Sequence, residues 1–99
     1  MDFTREQKLD FMKSLMWDYD IPPEHCLEVL EGTREKAGHY TEETLFRKTL
    51  ESFPWFTIIR IISISRVKNL LTDSVTRSLR FKILTERYEL IKGRLQDIV

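Results

Sequence analysis

Apolar residues recur at three- and four-residue steps through most of this chain, with charged residues between them. In "FTREQKLDFMKSLMWDYD", Leu9, Met12, Met16 and Tyr19 share one face, widened by Phe11 and Leu15. That spacing is the 3.6-residue period of a helix with one buried side, leaving Lys8, Lys13 and Ser14 outward. Thr4 and Gln7 form a capping-box pattern, so the helix is predicted to start there. The next stretch, "DYDIPPEHCLEVLEG", predicts a short helix from about Pro23 to Glu31. Proline suits a helix entry, where its missing N–H costs nothing, and Gly32 suits the left-handed position that closes the helix.

"GTREKAGHY" interrupts the periodicity as the longest polar connector and reads as a mobile loop. Thr41 is then an N-cap, with Glu42 and Glu43 complementing the helix dipole and Tyr40 positioned to staple onto Leu45. This third helix is predicted to run to about Ser52, with Leu45, Phe46, Thr49, Leu50 and Phe53 inward.

The most apolar stretch is "WFTIIRIISIS", in which seven of eleven residues are aromatic or Ile. Interrupted by Arg60, it falls well short of the roughly 20 apolar residues that span a bilayer. A strand would need a partner, and no other segment alternates with period two. A helix entered through Pro54 places Trp55, Ile58, Ile59 and Ile62 on one face, with Ile61 and Ile64 beside it. Apolar nearly all round, it is expected at the centre of the core. Ser65 is a candidate cap for the short helix "SRVKNLLT", with Val67, Leu70 and Leu71 inward. Thr72 or Asp73 caps another beginning "DSVTRSLR". In "FKILTERYELIKGRLQDIV", Leu84, Tyr88, Ile91, Leu95 and Ile98 mark a long amphipathic helix, either separate or continuous from Asp73. Gly93 weakens that helix and is expected to mark a close approach to a neighbour. The predicted fold is all-α: residues 1–99 form one compact bundle of five to seven helices around the apolar segment at about 54–64.

Composition agrees with a folded domain: 99 residues, 41% hydrophobic, 32% charged, with three Gly and three Pro. Net charge is zero but unevenly distributed. Residues 1–59 hold seven Lys/Arg and twelve Asp/Glu, giving −5; residues 60–99 hold nine and four, giving +5. Two halves that neutralise each other on packing would produce this pattern, as would a basic face for nucleic acid or an acidic partner, or head-to-tail self-association. The single cysteine, Cys26, excludes an intrachain disulfide and fits a reducing, cytoplasmic setting. The N-terminal segment lacks the apolar h-region of a signal peptide, so export is not expected.

Little in the chain suggests catalysis. His25, Cys26 and His39 are its entire supply of imidazole and thiol. Adjacent His and Cys do not reproduce a zinc-site spacing, and a Cys/His nucleophilic pair requires His39 to reach Cys26 from the loop. Cys26 is expected to be partly buried. Asp18, Asp20 and Glu24 cluster near the first turn but lack the spaced ligands and glycine of a calcium loop. Glycines at 32, 38 and 93 match no phosphate-cradling motif. No catalytic residue, metal site or cofactor is assigned.

Binding is the remaining class. Trp17 falls off the main stripe of the first helix beside Asp18 and Asp20, and these three are the candidate protein-contact residues. Arg77, Arg80, Lys82 and Arg87, in the basic C-terminal helices, are the candidate nucleic-acid contacts; "SRVKNLLTDSVTRSLR" supplies two short helices but lacks the turn glycine often found in a helix-turn-helix. The blocks "WDYDIPPEHCLEVLEG", "AGHYTEETLFRKTLES", "PWFTI", "LLTDSVTRSLR" and "RYELIKGRLQ" resemble a group of small bacterial helical proteins with no established activity. Members of that group are in turn similar to small partners of nucleotidyltransferase-type toxins. The resemblance implies an antitoxin-like or regulatory subunit that binds another protein or itself. The alternative expectation is a nucleic-acid-binding domain; no membrane partner is expected.

Overall fold

The computed structural model describes residues 3–16 and 20–98. Its elements, in chain order, are α1 (Arg5–Leu15), α2 (Pro23–Glu31), β1 (Lys36–Ala37), β2 (Tyr40–Thr41), α3 (Glu42–Ser52), α4 (Trp55–Ile61), α5 (Ile64–Leu70), α6 (Asp73–Arg77) and α7 (Lys82–Ile98). The all-α class holds.

Most helix starts follow from local side-chain chemistry. Thr4 and Gln7 bond reciprocally to each other's backbone N–H, at 3.2 and 2.9 Å, forming the expected capping box. Thr41 and Thr44 repeat this arrangement at α3. Thr72, rather than Asp73, caps α6 by accepting from Val75 N–H at 3.3 Å. The chain breaks before Phe81, so α6 and α7 are separate helices.

Two departures from expectation lie between residues 54 and 66. The apolar stretch is not one helix through Ile64: α4 stops at Ile61, and Ile62 is extended at φ −119°, ψ 138°. Ser63, not Ser65, caps α5 by accepting from Arg66 N–H at 3.3 Å. A cap at residue 63 satisfies a donor that a continuous helix would have bonded to Ile62, so the chain restarts in a new direction. The break sends Ile58, Ile61 and Ile62 into the core while Phe56 stays 76% exposed. This segment is therefore one of several short helices contributing to a shared core, without a dominant central helix.

That core joins Met12, Leu15 and Met16 of the first segment to Cys26, Leu27, Val29 and Leu30 of α2 and to Leu45, Phe46 and Leu50 of α3. Val67, Leu70, Val75, Tyr88 and Leu95 close it from the C-terminal half. Leu9, Phe11 and Phe53 are half-buried against its edge. Phe11 packs on Phe3 at 4.9 Å with the rings tilted by 46° and meets Phe53 edge-on at 5.5 Å, while the Arg60 guanidinium lies 4.2 Å above Phe3. Trp55 packs edge-on against Tyr88, at 6.2 Å, fastening α4 to α7.

The polar connector is ordered by a small antiparallel hairpin pairing Lys36 with Thr41 and Ala37 with Tyr40. Gly38 takes φ +60° at the first of two turn positions, and His39 has no positive φ. That is the type II′ pattern whose twist suits a hairpin. Ala37 is fully buried beneath it. Gly93 faces open space, with nothing within 4 Å of an added Cβ, so it marks no close approach. Gly93→Ala is expected to raise the unfolding free energy by about 1 kcal/mol in urea titration. Gly38→Ala is expected to lower it, because its Cβ would sit 2.8 Å from Ile21 Cδ1 at a positive φ.

Candidate binding surfaces

Cys26 is fully buried in α2, and His39 is exposed on the hairpin turn with its ring 4.4 Å from that of Tyr40. Burial pushes the Cys26 thiol above its ordinary pKa, against a smaller opposing backbone hydrogen bond, so the protonated form is held in the fold. Among the described residues, no group of three or more His, Cys, Asp or Glu side chains is placed to hold a metal ion. No helix among them is long and apolar enough to cross a membrane.

Of the sequence-predicted protein contacts, Asp20 is exposed just before α2, whereas Trp17 and Asp18 lie outside the described residues. The four predicted nucleic-acid contacts, Arg77, Arg80, Lys82 and Arg87, are all exposed. Other cations of the basic half are committed to the fold. Arg66 donates from Nε to Leu30 O at 2.9 Å and pairs with Glu42 at 2.8 Å, and Lys92 pairs with Asp73 at 3.3 Å. The Arg66–Glu42 contact crosses from the basic to the acidic half, while Arg5–Glu31, Arg34–Glu28 and Lys92–Asp73 each stay within a half.

Two surfaces stand out. The first is a groove of about 380 Å³ between α3 and the turn after α6, lined by Tyr40, Arg47, Lys48, Glu51, Ser78 and Arg80. Arg47 and Lys48 carry no sequence signal linking them to Arg80, because the fold alone brings these segments together. Glu51 lies four residues after Arg47 and three after Lys48, the spacings at which helical ion pairs form. Its Oε2 instead accepts the backbone N–H of Arg80 at 2.6 Å.

The second surface is on α7, whose buried stripe runs through Leu84, Tyr88, Ile91 and Leu95. Beside it, Ile83, Arg87, Leu90 and Arg94 recur at steps of four, three and four residues and face solvent. Ile83 is 65% exposed and Leu90 60%, with Phe81 54% exposed just before the helix. The seven-residue spacing of Ile83 and Leu90 was readable in the sequence but was masked by the stronger adjacent stripe.

No family model, curated protein or solved structure matches the chain.

Burial also raises the Tyr88 hydroxyl above its ordinary pKa of 10.0, against a smaller opposing effect of the Arg87 charge. A raised folded pKa contributes stability that is whole below the unfolded value and is lost as pH rises through the folded one. Both groups therefore act at alkaline pH: the unfolding temperature is expected to fall as pH is raised past 9.0 and then 10.0. Tyr88→Phe retains the ring against Trp55 and should flatten the upper part of that decline in a melting series read by circular dichroism.

Proposed function

We propose that the chain is a non-catalytic module that binds another protein in the cytoplasm, as a regulatory or antitoxin-like accessory subunit. The observation that carries this reading is the outward stripe of α7. Isolated exposed aliphatic residues are ordinary on protein surfaces. Ile83 and Leu90 instead share one face of a 17-residue helix, about 10 Å apart along its axis, flanked by Arg87 and Arg94 on one side and by Glu86 on the other. An apolar ridge bordered by arginines on one side and by Glu86 on the other suits a partner helix that presents apolar side chains bordered by charges of both signs. Trp17, with Asp18 and Asp20, is a second proposed contact chosen on sequence grounds. The antitoxin-like role rests on the resemblance carried by the sequence blocks.

The test is a tagged capture from source cells after nuclease treatment, comparing the wild-type chain with Ile83→Asp/Leu90→Asp. A stoichiometric protein is expected with the wild type and not with the double variant, whose melting temperature should be nearly unchanged because both positions are exposed. Equal recovery of the same protein by both chains would contradict the α7 assignment.

A second reading is nucleic-acid binding, favoured by the exposure of Arg77, Arg80, Lys82 and Arg87. It is distinguished by salt. Phosphate contacts would make affinity for an oligonucleotide fall linearly with salt on logarithmic axes, and charge reversal at Arg77 or Arg87 would reduce the slope.

A further inference from the structure

The groove between α3 and residues 78–80 has a charge balance that the described residues around it do not neutralise. Arg47 and Lys48 enter from consecutive positions of α3, and Arg80 enters from the turn leading to α7. The side chains of these three residues form no ion pair or hydrogen bond with any described residue. Among the described residues, Glu51 is the only carboxylate lining the groove. Its bond to Arg80 N–H holds the 80 segment against α3. Ser78 is likewise occupied, since its Oγ donates to Val75 O at 2.9 Å. Three cations thus face a common space beside one carboxylate, an excess of two positive charges.

We propose that this groove binds a phosphate group, with Arg47, Lys48 and Arg80 as its ligands. Guanidinium groups suit the ligand because their planar fork donates in pairs to phosphate oxygens, and the lysine adds a compact charge. At about 380 Å³ the groove accommodates a phosphate together with the group it esterifies. The inference goes beyond the protein-binding reading and does not depend on α7. It shares Arg80 with the nucleic-acid reading, so the source of the phosphate, free or within a nucleic-acid backbone, is separated experimentally.

The experiment is titration of the full chain, followed by amide chemical shifts, with inorganic phosphate and with a short single-stranded oligonucleotide. Chloride at matched ionic strength is the control. Saturable shifts centred on residues 47–51 and 78–80 are expected. Arg47→Gln and Arg80→Gln should each weaken binding about tenfold, as loss of a charge-assisted hydrogen bond does, with Lys13→Gln on the outer face of α1 unaffected. Glu51→Gln keeps an acceptor for Arg80 N–H but removes the opposing charge, and should tighten binding. A merely structural Glu51 would not do so. Saturation by inorganic phosphate identifies a free phosphate compound as sufficient; saturation by the oligonucleotide alone identifies the backbone as the source. The proposal is overturned if neither ligand gives saturable shifts, if the groove variants bind like wild type, or if Glu51→Gln weakens binding while melting at the wild-type temperature.

Discussion

The C-terminal end of α2 is where the two halves of this chain are fastened. The last carbonyls of any helix lack partners within it, and here they must be satisfied beside a wholly buried face of Cys26, Leu27, Val29 and Leu30. Gly32 turns the chain at φ +91°, and its N–H and that of Thr33 return to Val29 and Glu28. The Arg66 guanidinium completes the closure, donating to Leu30 O at 2.9 Å and Val29 O at 3.3 Å while pairing with Glu42 in the first turn of α3. A side chain at position 32 would come within 3.1 Å of that guanidinium. One cation thus ties α5 to α2 and α3.

This tie also divides the charge of the chain by role. Arg66 and Lys92 are committed to the fold, whereas Arg77, Arg80, Lys82 and Arg87 remain exposed. The uneven charge along the sequence is therefore only partly explained by the halves neutralising each other on contact. The remainder lies on surfaces, where desolvation by a partner would strengthen its effect far beyond what it has in water. The groove at Arg47, Lys48 and Arg80 and the stripe at Ile83, Arg87, Leu90 and Arg94 are two such places, and the turn from Arg80 into α7 joins them along the chain.

What the sequence made legible was the local chemistry. The capping box at Thr4, the N-cap at Thr41, the proline entry to α2 and the left-handed Gly32 each depend on residues a few positions apart, and each is present. The errors arose where local signals competed. In the 54–64 stretch, a nearly continuous apolar run outweighs Ser63 as a signal, so the pattern points to a cap two residues late, at Ser65, and to a core position for Ile64, which is 48% exposed. The hairpin was hidden because its two-residue strands are too short to show alternation; the glycine at its turn was its only strong signal. The groove was invisible for a different reason. Arg47 and Arg80 are brought together by the packing of α3 with α6, which no periodicity encodes.

The basic residues separate into one set held in contacts within the fold and another left exposed. The most direct measurement is the urea unfolding free energy of Arg66→Ala beside that of Arg87→Ala. Arg66→Ala should lose about 1.5–3 kcal/mol, the scale of hydrogen bonds made by a charged group, while Arg87→Ala should stay within about 0.5 kcal/mol of wild type. Equal losses in the two variants, or a stable Arg66→Ala beside a destabilised Arg87→Ala, would contradict it.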